Sequence, residues 1–247
     1  LTGRSVVIEF KDIYKSFGKK EVLCGLDLAI YKGETLVILG RSGCGKSVTL
    51  KILLGLIYPD QGQVFINNTE ITALSEKSLM PIRRRMGMLF QGSALFDSLT
   101  IGENVAFALT EHSDLTAGEI ETIVAKNLSF VELSGTQNMM PSELSGGMKK
   151  RVALARAMAF QPDILLYDEP TTGLDPITAT TINALIRKTQ LEFGVTSIVV
   201  THELDSGFSV ADRIAVMDDG RILEIGDVES IQNSKNEFVQ TFIAGPK

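Results

Sequence analysis

Apolar and polar residues alternate through the first third of the chain: Val6, Ile8 and Phe10, then Leu26, Leu28 and Ile30, then Val64 and Ile66. A period of two sends successive side chains to opposite faces, so half-buried antiparallel strands are expected here. Between them GETLVILG is a short, continuous apolar run, and DILLYDEP and TSIVVTHE repeat that pattern further on, each ending in polar residues. Such runs fit strands buried on both faces. With helical segments between them, three buried strands predict a parallel sheet flanked by helices. Leu99 to Met158 reads differently, because IGENVAFAL and the span from Ala117 to Val131 carry helical spacing without strand signals. This stretch is expected to be a helical insertion in an α/β core. After Gly220, RILEIG predicts a short strand, followed by a polar tail and an amphipathic piece, EFVQTFIAG.

One helix start is electrostatically odd. ELSGGMKKR, Glu143 to Arg151, opens a helix whose apolar spacing is Met148, Val152, Ala155, Ala159, yet its first turns hold three cations. Positive charge at a helix N-terminus opposes the macrodipole by roughly 0.3–1 kcal/mol per group. Something anionic is expected to offset this. Ser145, Gly146 and Gly147 offer close backbone approach and outward N–H donors, the properties of an anion site.

The 247 residues allow one large domain or two small ones, and 44% apolar with 22% charged residues fits a globular chain. The longest apolar runs, such as Ile52 to Ile57, fall well short of the ~18 residues of a spanning helix, and no basic-then-apolar segment opens the chain. A chain neither membrane-embedded nor secreted is expected. A net charge of −6 argues against a nucleic-acid surface, although Arg83-Arg84-Arg85 and Lys149-Lys150-Arg151 are local anion candidates. Cys24 and Cys44 lack metal-site spacing, which fits a reducing cytosol, and Cys24 is expected to be buried.

GRSGCGKS comprises Gly40, Arg41, Ser42, Gly43, Cys44, Gly45, Lys46 and Ser47, between a buried strand and the helical run VTLKILLGL. It matches the phosphate-binding loop G-x-x-x-x-G-K-[ST] in the strand–loop–helix context that gives the motif meaning. Backbone N–H groups curl around phosphate oxygens, Lys46 reaches the outer phosphates, and Ser47 is expected to hold Mg²⁺. ILLYDE places Asp168 and Glu169 at the carboxyl end of a second buried strand. Asp168 is placed to support Mg²⁺ and Glu169 to polarise an attacking water, the parts that phosphoryl transfer needs. His202 ends a third such strand, where it can bond a γ-phosphate, and Gln91 in MLFQGS is placed to reach metal or water.

Taken together, these motifs resemble the nucleotide-binding subunit of an ABC transporter. GRSGCGKS resembles the Walker A loop, Gln91 the Q-loop, LSGGM the signature, ILLYDE the Walker B strand, TGLD the D-loop and His202 the switch histidine. The resemblance implies an α/β P-loop NTPase with a RecA-like parallel-sheet core, an N-terminal antiparallel β-subdomain and a helical subdomain insertion. It implies one domain over 4–247, with a catalytic core at 4–92 and 156–230, a helical subdomain at 93–155 and a tail at 231–247. ATP and Mg²⁺ are the implied ligands. Two copies would meet head to tail, so that Ser145, Gly146 and Gly147 bind the partner's γ-phosphate, helped by the helix dipole and its basic first turn. A monomer should then hydrolyse ATP poorly. Gly173, Leu174 and Asp175 would cross the interface, and Phe17 would stack on adenine. Two positions depart from the family's pattern. Met148 stands where Gln is common, removing a capping-box acceptor, and Val48, in the nucleotide-binding set, replaces a common Thr.

A finer resemblance, to the ATPases of MCE-type lipid transporters, rests on GKSVTLKILLGL, LFQGSALFDSLTIGENVAF, MPSELSGGMKKRVALARAMA and FVQTFIAG. It implies a permease contact at Gln91 to Asn104, anchored by Leu95, Phe96 and Leu99. It further implies an MCE-domain lipid-binding protein, a small cytoplasmic regulator, and a peripheral place on the cytoplasmic face of the inner membrane. An ABC ATPase for amino acids, metal ions or lipoproteins would share every catalytic motif. A DNA-repair ABC ATPase would need a long coiled-coil insertion, and no sustained heptads interrupt this chain.

Overall fold

The computed structural model describes residues 5–244, so residue 4 and 245–247 of the expected domain, and the last residue of EFVQTFIAG, lie outside it. The alternating region forms β1 (Val6–Phe17) and β2 (Lys20–Tyr31), a long antiparallel pair. β3 (Thr35–Gly40) is buried along its whole length, as its uninterrupted apolar run predicts, and α1 (Lys46–Leu53) follows it. β4 (Gln61–Ile66) and the two-residue β5 (Thr69–Glu70) complete a four-stranded antiparallel sheet in the order β2-β1-β4-β5. α2 (Glu76–Arg83) and β6 (Met86–Leu89) lead into the helical middle.

There α3 (Ile101–His112) and α4 (Ala117–Phe130) each start on a capping box, Thr100 with Glu103 and Thr116 with Glu119. These satisfy backbone donors reciprocally at both starts. Next come α5 (Gly146–Ala157), the buried β7 (Ile164–Asp168) and α6 (Pro176–Phe193), then β8 (Thr196–Thr201) and α7 (Leu204–Val210). β9 (Arg213–Asp218), β10 (Arg221–Gly226), α8 (Val228–Gln232) and α9 (Glu237–Ala244) close the fold.

A six-stranded sheet runs β10-β9-β3-β8-β7-β6, parallel except for β10. Its two faces feed two cores. Val37, Leu39, Leu165, Tyr167 and Val199 face the helical side with Val152, Ile182 and Ile186, while Leu36, Ile38, Leu166, Ile198 and Val200 meet α1 and the antiparallel sheet. Burial of alternate residues on both faces is what removes the period of two from these strands.

Three expectations differ from the structure. β9 adds a further buried parallel strand, because Ile214 to Met217 is too short a run to stand out between Asp212 and Asp218. The tail is more ordered than its polarity suggests: Ile231 in α8 and Val239 in α9 are fully buried. Cys24 is only partly buried, and Cys44 is the buried thiol. The register of β1 against β2 shifts beside Tyr14, opposite Cys24, so that Leu23 and Leu26 point inward and Cys24 turns outward.

Asp212, before β9, ties three elements together. It accepts from the Thr35 N–H at 2.8 Å, from Arg187 at 2.9 Å and from Gln190. Burial alone would raise its carboxyl pKa, but the Thr35, Arg187 and Gln190 hydrogen bonds and the Arg187 charge hold it below the usual range. A depressed folded-state pKa stabilises the fold above the unfolded value of about 4, and that contribution is lost as pH falls through the folded value. Asp212→Asn is therefore expected to lower the melting temperature at neutral pH and to flatten its decline in acid. Equal melting temperatures at pH 7 would contradict this.

Candidate active site

Parallel register brings the carboxyl ends of five strands to one edge. Leu39 lies opposite Thr201, Gly40 opposite Met217, Asp168 opposite Val200 and Leu89 opposite Tyr167. The loops that leave this edge carry Gly40 to Ser47, Gln91, Glu169 and His202, and ligands bind at such edges in open α/β sheets. Gly45 caps α1 at φ 115°, a conformation that disfavours any side chain. The turn it makes aims the first N–H groups of α1 at the loop, where the helix dipole adds partial positive charge.

Lys46 is buried and donates to the carbonyls of Gly40 and Arg41 at 2.8 and 3.1 Å. Its ammonium also lies 3.5 Å from Glu169 Oε1. Ser47 Oγ donates to Asp168 Oδ1 at 2.7 Å. Glu169 Oε2 meets His202 Nδ1 at 2.9 Å and accepts from Thr172 Oγ1 at 3.1 Å. Glu169 itself sits at φ 48°, a left-handed conformation that costs a non-glycine residue roughly 1–3 kcal/mol. Its backbone is held at both ends: the N–H donates to Val200 O at 2.9 Å, and the carbonyl accepts from Lys150 Nζ at 3.2 Å. The result is a buried carboxylate between an ammonium and an imidazole, placed to take a proton from water. Beside it, Ser47 and Asp168 form a pair of hard oxygen donors. Burial pushes the Cys44 thiol pKa up, offset in part by Lys46, which makes that sulfur a packing atom of the loop.

The signature residues form a second cluster, around α6. Ser145 caps α5 by accepting from Met148 N–H at 3.3 Å, with no reciprocal acceptor at Met148, as its side chain dictates. Gly147 packs so closely that an added Cβ would lie 2.2 Å from Thr178 Cγ2, and Gly146 lies beside Leu174. Asp175 caps α6, accepting from Ile177 and Thr178 N–H at 3.1 and 3.0 Å and from Thr178 Oγ1. The Thr178 and Ile177 hydrogen bonds hold its carboxyl pKa below the usual range. Ser145 and Gly146 are exposed.

The cations that raised the electrostatic question do not face outward together. Lys150 is 4% exposed, and its ammonium donates to Gln91 O at 2.5 Å as well as to Glu169 O. Arg151 donates to Val131 and Glu132 carbonyls, both at 3.3 Å, where α4 ends. Carbonyl oxygens of the same chain, with the carboxylates of Asp168, Glu169 and Glu203 around Lys150 and of Glu132 near Arg151, offset these charges, and the expectation that the basic first turn helps to bind a partner's phosphate fails for these two. Arg83 behaves likewise, donating to Leu54 and Gly55 carbonyls behind α1 and pairing with Glu76, while Arg85 pairs with Asp163.

Phe17, 48% exposed at the end of β1, lies 5.6 Å from the Lys15 ammonium, so its ring is a surface platform and not core packing. Gln91 has an exposed side chain and a backbone held by Lys150. Past it, Asn104 is fully buried and ties the loop down, accepting from Phe96 N–H at 2.8 Å and donating to Phe96, Leu99 and Thr100 carbonyls at 3.0 Å each. Arg156 donates to Ser93 O at 2.8 Å and to Ala94 O in the same loop. Phe96 packs on Phe107 with centroids 4.6 Å apart, both rings well exposed, whereas Leu95 is partly buried against the core. Thr172 and Lys150 were not singled out for Glu169 from sequence. A hydroxyl three residues after the acid was a legible signal for Thr172, while the inward turn of Lys150 was hidden inside a run of cations.

The profile of the ABC transporter family matches residues 23–172 of this chain. The chain is 39% identical to the Haemophilus influenzae intermembrane phospholipid transport system ATP-binding protein MlaF, over 97% of this chain and 90% of that one. It is 42% identical to the chloroplastic protein Trigalactosyldiacylglycerol 3 of Arabidopsis thaliana, over 97% of this chain and 74% of that one. Among solved structures, a dimeric bacterial ABC transporter cassette is similar at a TM-score of 0.83 and 34% identity, covering 90% of this chain and 98% of that chain.

Proposed function

The chain belongs to the ABC transporter family, and on that premise we propose that it is the ATP-hydrolysing subunit of a transporter that moves phospholipid between membranes. The observation that carries the catalytic part is the buried Lys46–Glu169 pair, capped by the exposed His202 ring, beside Ser47 and Asp168. The N–H groups of Gly43 to Ser47 and the Lys46 ammonium hold the phosphates of ATP. Glu169 takes the proton of the attacking water. His202, with Nδ1 donated to Glu169, presents Nε2 to the terminal phosphate when the ring is protonated. Ser47 and Asp168, with Gln91 reaching in, suit Mg²⁺, which takes few protein oxygens and completes its shell from phosphates and water. When bound, that ion neutralises charge on the transferring group.

The site is finished by a second copy, arranged head to tail. Ser145, Gly146 and Gly147, capped outward from α5, receive the partner's γ-phosphate, and Asp175 with Gly173 and Leu174 lines the same seam. Phe17 offers its exposed face to adenine. Residues 93–155 form the helical subdomain, with 4–92 and 156–230 as the core and 231–247 as the tail. The Phe96–Phe107 pair, with Leu95 and Leu99 behind it, receives the permease, since exposed aromatics are favoured anchors. No helix among the described residues is long and apolar enough to cross a membrane. On the likeness to the phospholipid transport ATP-binding proteins, the chain works peripherally, on the cytoplasmic face of the inner membrane, with an MCE-domain protein and a small regulator as further partners and no nucleic acid.

Purification of the tagged chain from its native membrane in mild detergent, with mass spectrometry of what accompanies it, tests the cargo. A permease with an MCE-domain protein and phospholipid is the expected set. A permease of another kind, with no phospholipid, would contradict the lipid reading and leave the ATPase in place.

A further inference from the structure

Lys150 is a lysine on the signature helix, yet its ammonium ends inside the nucleotide-binding edge. It donates at once to the carbonyl of Gln91, in the loop after β6, and to the carbonyl of Glu169, in the loop after β7. Those two strands are adjacent in the sheet. One cation thus spans three elements that the proposed reaction needs in fixed relation: α5, the Gln91 loop and the proposed general base. Its position is costly to maintain without a purpose of this kind, because an ammonium 4% exposed has lost nearly all its water. Burial pushes its pKa below the usual lysine value, offset only in part by the charges of Asp168, Glu169 and Glu203. Glu203 is itself fixed by Thr171 Oγ1 at 2.6 Å.

Glu169 needs such a restraint more than its neighbours do. At φ 48° it has no glycine-like freedom, and its peptide group must be held for the carboxylate to stay between Lys46 and His202. A charge-assisted bond to its carbonyl does that from below, while the carboxylate is held from above by His202 and Thr172. We propose that Lys150 is a positioning residue for ATP hydrolysis, holding the Glu169 backbone in its left-handed conformation and tying that conformation to α5 and the Gln91 loop. The proposal rests on the assignment of Glu169 as the general base. It touches no phosphate and acts only through Glu169 and Gln91, so it governs turnover and not ATP affinity.

The test compares the full-length chain with Lys150→Met, Lys150→Gln and Lys150→Arg in MgATP hydrolysis, equilibrium ATP binding and thermal melting. Lys150→Met is expected to lower kcat about ten- to a hundred-fold, the range for a small displacement of a catalytic group, with KM and ATP affinity unchanged. Lys150→Arg, which keeps the charge and the donors, restores most of kcat. Placed on Glu169→Gln, Lys150→Met causes a much smaller further loss of the residual rate, because the carboxylate it positions is already gone and only the Gln91 loop is left to be displaced. An unchanged kcat in Lys150→Met, an undiminished further loss on Glu169→Gln, or loss of ATP binding and folding in both Lys150→Met and Lys150→Gln would overturn the proposal. Absence of turnover in the unsubstituted chain would instead strike the functional reading itself, before Lys150 is altered.

Discussion

Lys46→Ala is expected to bring ATP turnover to background and to weaken ATP binding by about ten- to a hundred-fold or more. A hydrogen bond to a charged group contributes about 1.5–3 kcal/mol, and each 1.4 kcal/mol is tenfold in affinity. Two effects add in the same direction. The substitution removes the ammonium proposed to meet the outer phosphates, and it frees the Gly40 and Arg41 carbonyls that the ammonium gathers, loosening the loop around them. It also leaves Glu169 without its 3.5 Å cation, so a buried carboxylate faces only His202 and Thr172. Calorimetric titration with ATP is the measurement. Undiminished affinity would remove Gly40 to Ser47 from the nucleotide site.

Glu169→Gln is expected to act on the other half of the reaction. The amide keeps the volume and a carbonyl oxygen for Thr172 and His202 but cannot take a proton from water. General-base catalysis contributes about 10²–10⁴-fold, so turnover should fall by that factor while ATP binding, which uses the loop and Lys46, stays intact. The backbone of residue 169 keeps its bonds to Val200 and Lys150, so the substitution isolates the carboxylate from the fold. Turnover within a few-fold of the unsubstituted chain would place the base elsewhere.

Much of this site was legible because its chemistry forces its spelling. A loop of this kind draws on glycine at φ values such as that of Gly45, a lysine of fixed reach and a hydroxyl, a combination that is readable as a spaced motif. The strands that carry Asp168 and His202 were legible because burial on both faces demands an unbroken apolar run. β9 escaped for the same reason in reverse, since four apolar residues between aspartates resemble a loop. Side-chain direction was the least legible part. Lys149, Lys150 and Arg151 are neighbours in sequence, but a helix turns each by about 100° from the last, so one faces the sheet edge and another the end of α4. Tertiary carbonyls, which no local pattern announces, decided where those charges went.

On the proposed reading one chain builds only half of the site: the Gly40 to Ser47 loop and Glu169 gather at one sheet edge, whereas Gly146 and Gly147 pack against Leu174 and Thr178. Whether a second copy completes it is read most directly from the mass of Glu169→Gln in solution, by size exclusion with light scattering, with and without MgATP. A shift from one copy to two on adding ATP is the predicted result, because the base that would dissolve the closed pair is gone. A chain that binds ATP and stays a single copy would contradict the shared site.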